Sequence, residues 1–247
     1  MLSSNIFLRY EFKYLINSAI ARQIYSQSLN FMNLDSYASL NKSNDYMVRS
    51  LYYDNDNFDN FFEKADGLQH RKKYRLRTYG KSLNSNTIIY FEMKGRTKDR
   101  ILKNRVLIDN NDLESFTSLK NFEQLLKKYK NNNLLREFIF EVYRKKLKAK
   151  ILIDYDRKPL INKFGLYFRL TFDSNLTSSK SNNLFLENSH YYPIKYKPGT
   201  TILEVKFERS IPSWFHRIIQ SYNLNRKSIS KFVLGVCNCK IKKETSE

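Results

Sequence analysis

Cations at every second position are the chemistry-bearing feature of this chain. In KKYRLRTY, Lys73, Arg75 and Arg77 alternate with larger or uncharged residues. The same spacing recurs as Arg9, Glu11 and Lys13 in RYEFK, Glu92 and Lys94 in IIYFEMK, and Lys103 and Arg105 in ILKNRVLI. It continues through Arg157 in IDYDR, Arg169 with Thr171 and Asp173 in LYFRLTFD, and Lys206 between Glu204 and Glu208 in TILEVKFE; Arg49 sits in a similar segment, MVRSLYYD. A period of two places such residues on one face of a β-strand, with Leu, Val, Phe and Tyr on the other. Guanidinium forks clamp phosphate oxygens through paired N–H bonds, and ammonium groups act as point charges, so a face of this kind suits a polyanion.

Other chemistries have no footing. His70, His190 and His216 are scattered, with no Ser-His-Asp arrangement around them. Cys237 and Cys239 stand too close for an unstrained disulfide and have no second Cys or His pair to complete a zinc site, so reduced thiols in the cytoplasm are expected. Neither GxGxxG nor GxxxxGK[ST] occurs, so phosphate must be held by side chains and not by a glycine-rich loop.

The elements that position these cations follow from the apolar spacing. Helical periods appear at Phe58, Phe61, Phe62 and Ala65, at Leu135, Phe138, Ile139 and Val142, and at Phe215, Ile218, Ile219 and Tyr222 after Pro212. A weaker helix is expected within residues 17–31, and loops at 82–87, 110–112, 131–133 and 178–183. The helices must cover the apolar strand faces, which places them outside and turns the charged faces inward if the sheet closes. On that inward face the twelve cations named above meet five anions, Glu11, Glu92, Asp173, Glu204 and Glu208. Such an excess is held only with water and a bound polyanion.

Composition agrees. The 247 residues, 41% of them hydrophobic and 15% aromatic, suffice for one full core, so a single domain over 1–247 is expected. The net charge of +20 attracts polyanions at long range, although a compositional bias toward Asn, Lys, Ile, Tyr and Phe accounts for part of it through the lysines. The aromatics follow core spacing instead of forming stacking platforms, which speaks against nucleic acid. No run approaches 18 apolar residues and MLSSNIFLRYEFKY is not a secretory signal, so a soluble chain without membrane insertion is expected; docking to a membrane protein stays open.

The ordered motifs RYEFKYLI, VRSLYYDNDNFDNFFEKADG, RKKYRLRTYG, FEMKGR, IDYDRKPL, RLTFD, LEVKF and IPSWF resemble the VTC domain over nearly the whole chain. This is the polyphosphate polymerase catalytic domain of the triphosphate tunnel metalloenzymes. The resemblance implies an α+β fold: an antiparallel, roughly eight-stranded β-barrel with flanking helices. It also implies a divalent cation, Mn or Mg, and transfer of the γ-phosphate of ATP onto polyphosphate. Carried over by motif, Arg75, Arg77, Lys94, Arg157 and Arg169 are the catalytic cations. Lys13, Arg105, Ser230 and Lys231 bind substrate, joined more weakly by Arg49, Lys206 and Lys227. Glu204, shared with Glu11 or Glu92, holds the metal. Arg9 stands where the triphosphatase branch has the first acid of ExExK, which sets a triphosphate or polyphosphate hydrolase second and a non-catalytic polyphosphate sensor third.

Overall fold

The computed structural model describes residues 10–97, 100–130, 132–163, 165, 167–186 and 193–241. Arg9 and His190 lie outside the described residues. In chain order the elements are β1 (Tyr10–Asn17), α1 (Ser18–Ser28), β2 (Met32–Leu34), β3 (Tyr46–Asp54), α2 (Asp59–Ala65), β4 (His70–Thr78), β5 (Ile89–Thr97) and β6 (Arg100–Ile108). Next come α3 (Leu113–Ser118), α4 (Phe122–Lys128), α5 (Asn133–Lys145), β7 (Lys148–Asn162), β8 (Phe168–Lys180), β9 (Ile194–Lys195), β10 (Thr200–Phe207), α6 (Ser213–Ser221) and α7 (Lys231–Asn238).

The fold is α+β, an antiparallel ten-stranded sheet with flanking helices, in the order β1-β10-β8-β7-β3-β4-β5-β6; β2 pairs with β7 and β9 with β8. Among the described residues this pairing is a path and not a ring. The chain divides into two compact units, and β7 and β8 run through both. The first comprises Met1–Met47, Tyr155–Leu176 and Lys197–Ile229; the second comprises Val48–Asp154, Thr177–Tyr196 and Ser230–Glu247.

In the first unit the apolar parity of β1, β8 and β10 (Tyr14, Ile16, Leu170, Phe172, Leu203, Val205) buries against Ala21 and Ile24 of α1 and Phe215 and Ile218 of α6. Asn17 starts α1 by accepting from the Ile20 amide at 2.8 Å, and Pro212 immediately precedes α6. In the second unit Leu51 and Tyr53 of β3, Tyr74 and Leu76 of β4, and Phe91 and Met93 of β5 bury against α3, α4 and α5 through Phe116, Leu125, Leu135 and Phe138. Asp54 caps α2 from a distance, accepting from the Asn60 and Phe61 amides at 3.0 Å each.

Three differences from the sequence reading have physical causes. Residues 113–128, given no element from the sequence, form two short helices: the six-residue α3 spans too few turns to show a helical period, whereas α4 does carry one in Phe122, Leu125, Leu126 and Tyr129. The expected loop at 178–183 begins as strand, because β8 continues to Lys180 past Asn175, whose φ of 52° marks a local kink. The helix α7 does not join the others. Its Gly235 presses on Ile151 and Ile153, its Phe232 packs on Tyr52 at 5.2 Å between ring centroids, and Tyr52 lies directly opposite Arg75. One helix therefore covers part of the charged face of β3 and β7, where all helices were expected on the apolar one.

Candidate polyanion-binding faces

In the second unit the register of β4, β5 and β6 builds rows of charge. Lys73, Lys94 and Lys103 lie directly opposite one another across three strands, and the next row is Arg75, Glu92 and Arg105. Arg77 opposes Tyr90, and beyond the lysines Arg71 opposes Arg96. Strand parity thus gathers eight cations on one face, four on β4 (Arg71, Lys73, Arg75, Arg77) and two each on β5 (Lys94, Arg96) and β6 (Lys103, Arg105); Glu92 is the one carboxylate in these rows. Like charges directly opposite one another are unfavourable in a sheet, so the lysine row favours a nearby anion, and Lys103 Nζ has Glu92 at 3.9 Å.

Glu92 organises this face. It is 1% exposed, and Arg75 donates to it through Nε (2.8 Å) and Nη2 (2.5 Å), with Arg77 Nη1 at 3.7 Å and Lys103 Nζ at 3.9 Å. Burial alone raises the pKa of such a carboxyl, because it disfavours the charged form. Here the charges of Arg75, Arg77 and Lys103 outweigh burial and hold Glu92 at about 2. Tyr52 completes the fork by accepting from Arg75 Nη1 at 2.8 Å. Lys73 Nζ lies 3.2 Å from the hydroxyl of Ser230, the N-cap of α7, and Lys231 follows, 8% exposed.

Arg49 does not join this face. Tyr52 shares a face with Arg75, so Arg49, three residues before it, points with Leu51 and Tyr53 to the opposite side. There it is 2% exposed, forked onto Asp154 through Nε (2.9 Å) and Nη2 (2.8 Å), and it donates to the carbonyls of Lys81 and Leu184. The expectation of Arg49 as a substrate contact is corrected to a buried fork that ties two loops to β3. Alternation within MVRSLYYD does not reveal which parity is apolar, because both carry aromatic residues.

The first unit carries a second, nearly neutral face. Its rows are Glu11, Lys206 and Arg169, then Lys13, Glu204 and Thr171. Arg157 forks onto the buried Asp173 with two 2.7 Å bonds and reaches Glu204 at 3.5 Å. Burial alone lowers an arginine, but Asp173 and then Glu204 keep Arg157 charged, well above its ordinary value. Lys13 Nζ stands 3.1 Å from Glu11, 3.8 Å from Glu204 and 3.0 Å from the Ile229 carbonyl, while the Lys227 amide bonds the Lys13 carbonyl. Lys206 lies 3.6 Å from Glu204, and Arg169 is 3.1 Å from Asp35.

Among the described residues no group of three or more His, Cys, Asp or Glu gathers as a metal cage. Glu11 and Glu204 instead present two hard oxygen donors around one ammonium. That donor set fits a magnesium-like ion, which takes one or two carboxylates and completes its shell from phosphate and water.

Tyr52, Asp35, Asp154, Arg71 and Arg96 were not singled out by sequence reasoning. Arg71 and Arg96 had a readable signal, since each continues an alternation by two positions. The carboxylates Asp35 and Asp154 had none, because their partners are distant in sequence.

Fold and faces together define an α+β protein whose antiparallel sheet presents strand-borne cations suited to a polyanion. The sequence matches the VTC domain over residues 8–240, and the chain belongs to that family. No curated protein sequence matches it. Among solved structures it is similar to a putative adenylyl cyclase from Hippeastrum, described as having a dominant triphosphatase activity, at 12% identity and TM-score 0.50 over 93% of this chain and 96% of that one. A putative adenylate cyclase from Bacillus halodurans is similar at 12% identity and TM-score 0.49, over 90% of this chain and 94% of that one. The Hippeastrum likeness is one of fold.

Proposed function

We propose that this protein is a polyphosphate polymerase, transferring the γ-phosphoryl group of ATP to the end of a polyphosphate chain in a basic, metal-dependent tunnel. The observation that carries the reading is the row Lys73, Lys94 and Lys103, three ammonium-bearing side chains opposed across adjacent strands in a member of the VTC domain family. An oxygen of the terminal phosphate attacks the γ-phosphorus, the bond from that phosphorus to the β,γ-bridging oxygen breaks, and ADP leaves. The attacking oxygen is already anionic, so the reaction requires position and charge neutralisation more than a base. Arg75, fixed by Glu92 and Tyr52, sets orientation; Arg77, Lys94, Lys103 and Arg105 neutralise charge. In the first unit Arg157 and Arg169 take the corresponding roles, with Lys13 and Lys206 beside them. A divalent cation bound at Glu204 with Glu11 would supply further neutralisation of phosphate oxygens.

Support from packing bears on the rival partners. Phe91, Phe138, Tyr53 and Phe215 are buried in the cores, so they offer no surface for stacking bases. Within the described residues no helix is long and apolar enough to cross a membrane. We place the protein in the cytoplasm as a single functional domain acting on ATP and polyphosphate.

Hydrolysis of triphosphate or polyphosphate is the second reading, favoured by the activity ascribed to the Hippeastrum protein. Arg9, in place of an acid, weighs against it. Purified protein with ATP and Mn²⁺ separates the two: a ladder of phosphate polymers supports the polymerase, and orthophosphate alone supports the hydrolase. Arg169→Ala abolishes turnover while the fold persists; unchanged turnover in that variant sinks the assignment.

A further inference from the structure

The charged face of the second unit runs past the residues given a role above. Arg71 and Arg96 lie directly opposite each other, two residues along from the Lys73 and Lys94 pair and on the same parity. From Arg71 to Arg77 the ladder extends about 20 Å, and the arginine pair stands about 7 Å beyond the lysine row, at ~3.3 Å per residue. A triphosphate, with three phosphorus atoms, cannot engage both ends of such a ladder. An extended phosphate chain can.

Two features separate this pair from an ordinary solvated strand end. Arg71 is half-buried and oriented, since its Nη1 donates to the Leu68 carbonyl. Burial first, and then the neighbouring charge of Arg96, pull Arg71 below its usual value against the opposing effect of Glu63. Guanidinium against guanidinium across a ladder is unfavourable, and more so where one of the two is partly buried, as Arg71 is beside the exposed Arg96. Two guanidinium groups placed opposite each other offer several N–H donors to a run of phosphate oxygens, the chemistry in which arginine exceeds lysine.

We propose that Arg71 and Arg96 form a further polyphosphate subsite, one row beyond the lysines, which makes the face selective for long phosphate chains over short ones. This rests on the phosphate-binding reading of the same face. The subsite senses length: a short ligand seated on the Lys73, Lys94 and Lys103 row and the adjoining Arg75 and Arg105 row is bound, and a chain that extends from there to the arginine pair as well is bound more tightly.

The test compares tripolyphosphate with a linear polyphosphate of defined, longer length by calorimetric titration of the full chain, at about 0.15 M ionic strength to suppress the long-range field. In the double variant Arg71→Gln, Arg96→Gln the expected loss is about tenfold in Kd on the long chain and less than twofold on tripolyphosphate. An equal loss on both ligands marks a general field effect and overturns the subsite, as does no loss on either. Equal loss on single-stranded DNA of matched charge overturns the selectivity for polyphosphate. Failure of the unmodified protein to bind either phosphate overturns the reading beneath it, and this inference with it. The unfolding midpoint of the double variant, measured alongside, is expected to stay close to that of the parent, since removal of one like-charge contact is offset by loss of the Arg71 bond to the Leu68 carbonyl; a large fall would make the pair structural and also overturn the subsite.

Discussion

Replacing Glu92 by glutamine tests the electrostatics of the basic face at its centre. The substitution keeps the shape and removes the one carboxylate onto which Arg75, Arg77 and Lys103 converge. In the fold Glu92 titrates at about 2 in place of the ordinary 4.5. At ~1.4 kcal/mol per pH unit, that depression is worth about 3 kcal/mol of stability at neutral pH. A depressed carboxylate contributes fully above its unfolded value, and the contribution fades as pH falls from about 4.5 toward about 2. The gap between parent and Glu92→Gln in urea unfolding is therefore expected to be constant from pH 8 to 5 and to narrow below 4.5. The variant also adds one net positive charge to the face, so it should bind tripolyphosphate at least as tightly while turning ATP over more slowly, because Arg75 has lost its fork. A gap under about 1 kcal/mol at pH 7, or one that changes between pH 6 and 8, refutes the counter-ion role.

Arg49→Met is expected to cost about 3–5 kcal/mol, because it strands Asp154 without its partner, and Asp154→Leu in the same chain should recover most of that loss; neither should alter tripolyphosphate affinity in the protein that remains folded, and a specific loss of affinity would restore Arg49 to the ligand face. Lys94→Gln removes the middle charge of the lysine row, so the ligand-free protein should gain up to about 1 kcal/mol in low-salt denaturation while tripolyphosphate binding weakens. A variant that loses stability instead would show that the row is not under repulsion. Gly235→Ala puts a methyl group 2.6 Å from Ile153 Cδ1 and is expected to cost about 1–3 kcal/mol in thermal or urea unfolding; a neutral result would mean that α7 is not pressed against β7.

What the sequence made legible was parity. Alternation in RKKYRLRTY, FEMKGR and TILEVKFE assigns the charged side of β4, β5 and β10 correctly, since each has one consistently apolar parity that must meet a helix. Helices α5 and α6 were equally visible because each shows its apolar stripe over two or more turns. The six-residue α3 carries no such period, and α3 and α4 draw their stability from Phe116 and Leu125 in a core assembled from distant strands.

Arg49 shows where parity stops being informative, and the reason is physical. A strand buried on both faces has no solvent side to mark its polar residues, so charge ceases to indicate direction. β3 is buried at every position from Val48 to Asp54, with Tyr52 on one face and Tyr53 on the other. The choice between faces is made by partners remote in sequence: Asp154 accepts Arg49, and Glu92 with Tyr52 takes Arg75. The same reasoning separates the two kinds of arginine in this protein. Those forked onto buried carboxylates, Arg49, Arg75 and Arg157, are held in place before any ligand arrives, and their donors are largely committed. Those in like-charged rows, with Lys73, Lys94 and Lys103, gain most from an incoming anion, because it relieves repulsion already present in the sheet. Affinity for phosphate should therefore track the rows, and the geometry of transfer should track the forks.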